Sequence, residues 1–438
     1  MRSRWWGVLV VGATVAAPLA AQQVAPPEAT IRVFFDCTTY GCSDYDFIRR
    51  QIPYVNWVLD RTDADVHVLI TGQTTGGGGE QYRMAFIGLR SFQGQADSLL
   101  VNMPATATFD EQRRAIAEKV KLGLVRYLAQ TRAAAQLRVT YGPPAGPGGP
   151  GGPHPGGRSP ATSAQNDPWN YWVFSLSGSA YLNGESSEKL GNYYGSVSAS
   201  RTTEAWKLSL SADYSLEEDR YDLSTGVTTY TQRGWDLTPF AVRSLGSQWA
   251  VGLKGDYGRS DYYNERSKWS IRPGVEYDFF PYAQSSRRSL TLQYLIGPES
   301  WKYREGTIYE KTAETRTQES LTGRLTLIQP WGQWETSLTG AHYLSDTSLY
   351  HVLLDGSVNV RIFKGLSIRA YAYYEWLHDQ IYLPAGGVTD EQTLLHLRQL
   401  ATTFQYYTSI GLEYKFGSIF NNVVNPRFGS SSGMIIIG

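Results

Sequence analysis

The sequence predicts an all-β transmembrane antiparallel barrel of about twelve strands, joined to a small N-terminal α/β (α+β) domain. Three observations predict it. Apolar and polar residues alternate strictly after Pro168, aromatic residues sit in pairs eight positions apart on the apolar face, and the connections alternate between short and long.

The alternation is clearest from residue 206. Trp206, Leu208, Leu210, Ala212 and Tyr214 share one face, and Lys207, Ser209, Ser211 and Asp213 share the other. Successive side chains of a strand point to opposite faces, so one face is apolar and one polar. The pattern recurs from Val352 to Ile362 and from Leu366 to Trp376. The aromatic pairs are Trp206 and Tyr214, Trp249 and Tyr257, and Trp269 and Tyr277. Eight residues at roughly 3.3 Å, tilted by about 40°, cover about 20 Å along a membrane normal, near the height of the apolar band of a membrane barrel. A soluble β-sandwich would also alternate, but would turn its apolar face inward without paired aromatic rims.

Twelve such segments fall between residues 168 and 416. The short connections are at 202–204, 245–247, 330–332 and 363–365, with 281–287 somewhat longer; the largest of the other set are 217–226, 303–315 and 381–399. Short periplasmic turns and long extracellular loops are the habit of bacterial barrels, and an even strand number returns the chain to the side it came from. The polar face, facing the lumen, would carry Lys207, Asp213, Lys254, Asp256, Arg272, Glu276, Asp278, Arg324, Asp355, Arg361, Arg369, Glu375 and Glu413. The signs are mixed, which fits a lumen braced by ion pairs better than a filter of one charge.

Residues 1–21 read as a signal peptide: Arg2 and Arg4, an apolar run from Trp5 to Ala17, and small residues before a cleavage site. Residues 30–133 read as an α/β domain placed in the periplasm. Ile31–Phe35 and Val66–Thr71 are strands; two more are expected at Tyr82–Leu89 and Asp97–Val101. Ser43 is the expected cap of a helix through Gln51, ended by Pro53. Thr108-Phe-Asp-Glu111 is a capping box that opens a second helix to about Ala129, with Ile116, Val120, Leu124 and Leu128 on one face. Cys37 and Cys42, behind a signal peptide, are expected to pair as a staple; a metal site would need further ligands, and a redox pair usually has Cys-x-x-Cys spacing. Gly76–Gly79 lacks the Lys-Ser/Thr of a phosphate loop and reads as a hairpin turn.

From Gly142 to Asp167 the chain is rich in Pro and Gly, a linker expected to hold two domains apart without fixing their angle. Gly146, Gly148 and Gly151 match a dinucleotide pattern but lack its strand and helix. Residues 417–438 form a tail with no evident role.

Ser409-Ile-Gly411-Leu-Glu-Tyr414-Lys-Phe416 resembles the last-strand signal read by the barrel assembly machinery, although that signal usually ends a chain and this one continues to Gly438. The whole chain resembles an uncharacterised family of secreted proteins with a periplasmic α/β domain, a Pro/Gly linker and an outer-membrane barrel. The resemblance implies lipid and the assembly machinery as partners, and no activity.

Enzymatic readings are weaker. Outer-membrane phospholipase A carries His-x-Ser, but His342 is followed by Leu344, with Ser345 and Asp346 assigned to a loop. Omptin-like proteases use Asp/His groups, whereas His378 and Asp379 are adjacent and point apart. Gly429-Ser-Ser-Ser-Gly433 matches a nucleophile elbow without the strand and helix around it. Balanced charge, 40 Lys+Arg against 40 Asp+Glu, gives no basic face for nucleic acid. No cofactor is expected. The functional expectation is an outer-membrane anchor for a domain facing a periplasmic partner, with a pore for small solutes as the alternative and a barrel enzyme third.

Overall fold

The computed structural model describes residues 31–39, 42, 44–138, 167–223, 226–386 and 400–418. The expected signal peptide, Ser43, nearly all of the linker and most of the C-terminal tail, with its Gly429–Gly433 motif, lie outside the described residues. No helix among the described residues is long and apolar enough to cross a membrane.

The N-terminal region is a five-stranded mixed sheet with helices packed on one face. Its strands are β1 (Arg32–Cys37), β2 (Asn56–Trp57), β3 (Val66–Thr74), β4 (Glu80–Gly88) and β5 (Ala96–Met103), in the order β2-β1-β3-β4-β5. The first three run parallel and the last two antiparallel. Helix α1 (Tyr45–Gln51) is capped by Asp44, whose side chain accepts from the Phe47 N–H, so the cap stands one residue beyond Ser43. Helix α2 (Phe109–Leu128) opens with the capping box between Thr108 and Glu111. Ile116, Val120 and Leu124 are fully buried against Val33, Val68, Ile70, Met84 and Phe86. β2 was not legible in the sequence, because a two-residue strand carries no periodicity.

The second body is a twelve-stranded antiparallel meander. Its strands are β6 (Trp172–Gly184), β7 (Glu188–Thr202), β8 (Trp206–Leu223), β9 (Gly226–Ser244), β10 (Trp249–Ser260), β11 (Glu265–Asp278), β12 (Arg288–Tyr303), β13 (Ala313–Gln329), β14 (Gly332–Tyr343), β15 (Asp346–Phe363), β16 (Leu366–Leu377) and β17 (Phe404–Tyr414). Each pairs only with its sequence neighbours, so β6 and β17 are the edges of the sheet. The stretch 217–226, expected as a loop, instead lengthens the β8–β9 hairpin, with Leu223 opposite Gly226. Val227, Thr229 and Tyr230 favour strand, and this extension overrides the polar run that precedes it.

Register sorts the aromatics into rows. Trp249 lies opposite Tyr277 and Tyr257 opposite Trp269, while Tyr214 faces Trp235 across β8 and β9. Trp249 and Tyr277 have ring centroids 4.7 Å apart, and Trp235 and Tyr257 5.1 Å. Between the rows, Leu210, Leu253, Ile271, Leu292, Leu321 and Leu338 are exposed on the same apolar face.

Gly123 of α2 packs so closely on the Phe86 ring that a Cβ would collide with it, while a Cβ on Gly77 would meet nothing within 4 Å. Gly123→Val is expected to destabilise the α/β domain by about 1–3 kcal/mol, and Gly77→Ala to leave it unchanged. Urea-dependent proteolysis of residues 31–138 in the full chain measures both; equal resistance would contradict the helix–sheet packing.

Candidate functional site at the junction of the two bodies

A two-layer α/β sheet has one face under its helices and one face bare. Here Val33, Phe35, Val68 and Ile70 point to the helices, so alternation puts Phe34, Asp36, His67 and Leu69 on the other face. That second face is buried too: His67 and Leu69 are fully inaccessible. It is seated on the short-turn end of the twelve-stranded sheet.

The central contact is bidentate. Arg361, near the end of β15, donates from Nη1 to Asp36 Oδ2 and from Nη2 to Asp36 Oδ1, both at 2.8 Å. Its guanidinium also lies 4.9 Å from the Phe34 ring centroid, a cation–π arrangement suited to its planar fork. His67 Nε2 lies 3.1 Å from Asp36 Oδ2. The β15–β16 turn adds two more contacts. Lys364 Nζ donates to Asp63 Oδ1 at 2.7 Å, and the Gly365 N–H donates to Asp60 Oδ2 at 2.7 Å. On another part of the rim, Gly76 in the β3–β4 turn approaches the β7–β8 turn so closely that a Cβ there would lie 2.5 Å from that of Thr202. Between the two bodies remains a cavity of about 540 Å³, lined by Tyr45, Trp57 and Asp60 from one side and Gln333, Arg369 and Lys415 from the other.

The electrostatics of Asp36 and His67 follow from burial. Burial alone would raise the Asp36 pKa, but hydrogen bonds from His67 and Arg361, and the Arg361 charge, hold it below its ordinary value. Burial pushes the His67 pKa down, against the pull of Asp36. The imidazole is therefore neutral, donating from Nε2, and its buried Nδ1 has no hydrogen-bond partner among the described residues. Asp60 is likewise held low: burial raises it, and the hydrogen bonds from Thr62 and Gly365 outweigh that.

This arrangement changes one expectation. The linker composition predicted two bodies with no fixed angle, whereas the described residues show them in contact through ion pairs and sheet-to-turn packing. Tether composition reports only what the tether permits, and the complementary charges lie far from it in sequence. Arg361, expected on the polar face, is in phase with Asp355 on β15 and from the end of that strand reaches Asp36.

The other predicted residues divide by environment. Cys37 and Cys42 form a disulfide in the loop between β1 and α1, directly after Asp36. Lys254 lies opposite Arg272, which is 3.3 Å from Glu299. Arg369 pairs with Glu413 at 3.1 Å, and Asp355 accepts from the Tyr371 hydroxyl at 2.8 Å. Glu276 accepts from Gln293 at 3.0 Å. Lys207 lies 5.9 Å from the Phe240 ring centroid. Asp213 stands opposite Asp236, Asp256 opposite Ser270, and Arg324 opposite Ser337. Asp278 stands opposite Thr291. Ser409, Gly411 and Tyr414 lie on the edge strand β17, and Phe416 lies just beyond it. His342 is paired with Glu319 at 2.8 Å on the apolar face, and His378 stacks on Tyr350. Neither contact brings a serine, threonine or cysteine side chain to the imidazole. Among the described residues no three His, Cys, Asp or Glu side chains gather as a metal ion would require.

No family model matches the chain, and no curated protein matches it. Among solved structures it is similar to one described as the NanC porin structure in rhombohedral crystal form, at 12% identity over 55% of this chain and 100% of that one, with a TM-score of 0.26. At that score the likeness lends no support to a fold or an activity here.

Carbodiimide should join Asp63 to Lys364 in the native chain, and mass spectrometry should find no such peptide pair in Lys364→Gln. Arg361→Ala leaves the Asp36 carboxylate buried with His67 alone and is expected to weaken the junction by about 2–5 kcal/mol, with cross-linking falling in parallel. Acid should act the same way. The neutral His67 favours the buried state fully above about pH 6.5, and that contribution declines as pH falls below it. The depressed Asp36 contributes fully above the ordinary carboxylate range and is lost as pH falls through its lowered value. A junction that tightened between pH 7 and pH 4 would contradict these assignments.

Proposed function

We propose that the chain is a bacterial outer-membrane protein in which the twelve-stranded sheet closes into a barrel, with β6 meeting β17, and the α/β domain sits on the periplasmic end. The observation that carries the membrane reading is the apolar face. Leu210, Leu253, Ile271, Leu292, Leu321 and Leu338 each leave at least 40% of their surface exposed, between two aromatic rows. Soluble proteins rarely present so broad an apolar band. Both edge strands carry unpaired backbone groups, which lipid cannot satisfy, and closure removes them.

The biochemical role is that of an anchor. The barrel holds the α/β domain at the inner surface of the outer membrane in a set orientation, through Asp36–Arg361 and Asp63–Lys364. The domain then presents its helices and the edge strand β5 to an unidentified periplasmic partner. The signal-like segment Ser409–Phe416 would commend the chain to the assembly machinery. A second reading, a pore kept closed by the domain, is favoured by one observation: a cavity of about 550 Å³ on the polar face toward the long-loop end, lined by Asp256, Arg272 and Glu299 among others.

Leu210→Arg is expected to cost about 2–4 kcal/mol of refolding free energy in lipid vesicles, and Ser211→Arg much less; equal costs would reverse the face assignment. Intact cells should bind antibody to a tag at Gly226 and not to one at Gly94. Planar-bilayer recordings separate the two roles: with Ile381, buried at the long-loop end, changed to Ser as well, the anchor reading predicts that Arg361→Ala stays silent, and the pore reading that it conducts.

A further inference from the structure

The long-loop end of the sheet carries a closure of its own. After β16 the chain turns back over the polar face instead of continuing outward. Ile381 is fully buried among Trp301, Tyr303, Tyr343 and Leu349. Those four belong to β12, β14 and β15, at positions in phase with Glu299, Ser337 and His351, and so on the polar face.

The main chain of this segment is fastened as well. Ile308 donates its N–H to the Leu383 carbonyl at 2.8 Å, and Ala385 donates to the Gly306 carbonyl at 2.8 Å. Thr307 and Pro384 form an antiparallel bridge between them. Asn264 ties both pieces to the end of β10–β11: its Nδ2 donates to the carbonyls of Glu305 and Tyr382, and its Oδ1 accepts from the Glu305 N–H, all at 3.0 Å. Asp379 lies 3.6 Å from His351 Nδ1.

We infer that residues 378–386 form a strap that closes the long-loop mouth of the barrel, and that the mouth opens when Ile381 leaves its aromatic socket. The inference rests on the barrel reading. An isoleucine has no hydrophobic reason to lie against the polar wall of a water-filled channel unless that wall offers it a dry pocket. Trp301, Tyr303, Tyr343 and Leu349 supply one at a single place. The strap's attachments are a handful of hydrogen bonds, the packing of Ile381, Tyr382 and Leu383, and the ring contact of His378 on Tyr350, against the twelve residue pairs that join β14 and β15. It is the piece at this end that can detach without breaking the sheet.

The test is access to the polar wall below the strap. Ser337→Cys, in the full chain inserted in cells, is exposed from outside to a bulky membrane-impermeant maleimide. Labelling should be slow with the native strap and at least tenfold faster when Ile381→Ser is added. The pair Gly306→Cys and Ala385→Cys, at directly opposed positions, should form a disulfide and restore slow labelling beside Ile381→Ser; reduction should undo it. A Cβ at Gly306 meets nothing within 4 Å, so that change fits. Slow labelling in every variant would overturn the strap and leave the barrel standing. Fast labelling in every variant, with the native strap included, would overturn the strap, and loss of heat-modifiable mobility in the native chain would overturn the barrel reading with it. Heat-modifiable mobility on the same samples confirms that each variant is folded.

Discussion

Backbone hydrogen bonding between sequence neighbours is the constraint on which the twelve-stranded body depends. In a meander every strand finds its partner next to it in sequence, and on the short-turn side register is set by turns of a few residues. Alternation then does the rest. Once Tyr257 stands opposite Trp269 and Trp249 opposite Tyr277, the leucines between must lie on the same face and the charges on the other. A slip of one residue in any strand would exchange the two faces, which is why the apolar face is continuous over so many strands.

The α/β domain meets that body by a different logic. Its helices cover one face of its sheet, and the other face would leave His67, Leu69 and Phe34 bare. The turns of the larger sheet cover it, with Arg361 as the only guanidinium reaching Asp36 among the described residues. The pair is sound because every element around it contributes. Phe34 stacks on the cation, His67 shares the carboxylate, and Asp60 and Asp63 hold the next turn. A buried charge pair gains little stability over apolar packing, and its value lies in fixing one orientation.

Most of the local structure was legible. The capping box at Thr108, the apolar stripe of α2 and the strand ends at Thr202, Phe363 and Leu366 are short-range patterns, and short-range patterns survive folding. Asp36–Arg361 was not legible, because nothing near either residue marks the other: Asp36 reads as a polar end to a strand, and Arg361 as one more charge on an alternating face. The inward turn after β16 was hidden for a related reason. Ile381 stands between polar residues in a segment that reads as a loop, and its socket is assembled from three strands far away in sequence. His342 illustrates the converse. Its place on the apolar face was legible, while its partner Glu319 could be found only through the register of β13 and β14.

The separation of Asp36 from Arg361, 325 positions along the chain, has a consequence for the order in which the molecule is made. A polypeptide emerges N-terminus first, and domains fold as units as they appear. A domain that folds before the β15–β16 hairpin has formed holds one face of its sheet uncovered for that time. It is equipped to do so, with a capped helix, a dry core and a disulfide beside the residue that waits for its partner. Seating on the rim then becomes possible only after the hairpin bearing Arg361, Lys364 and Gly365 has formed. The contact of Asp36 with Arg361 thus joins an early part of the chain to one of the last hairpins of the sheet.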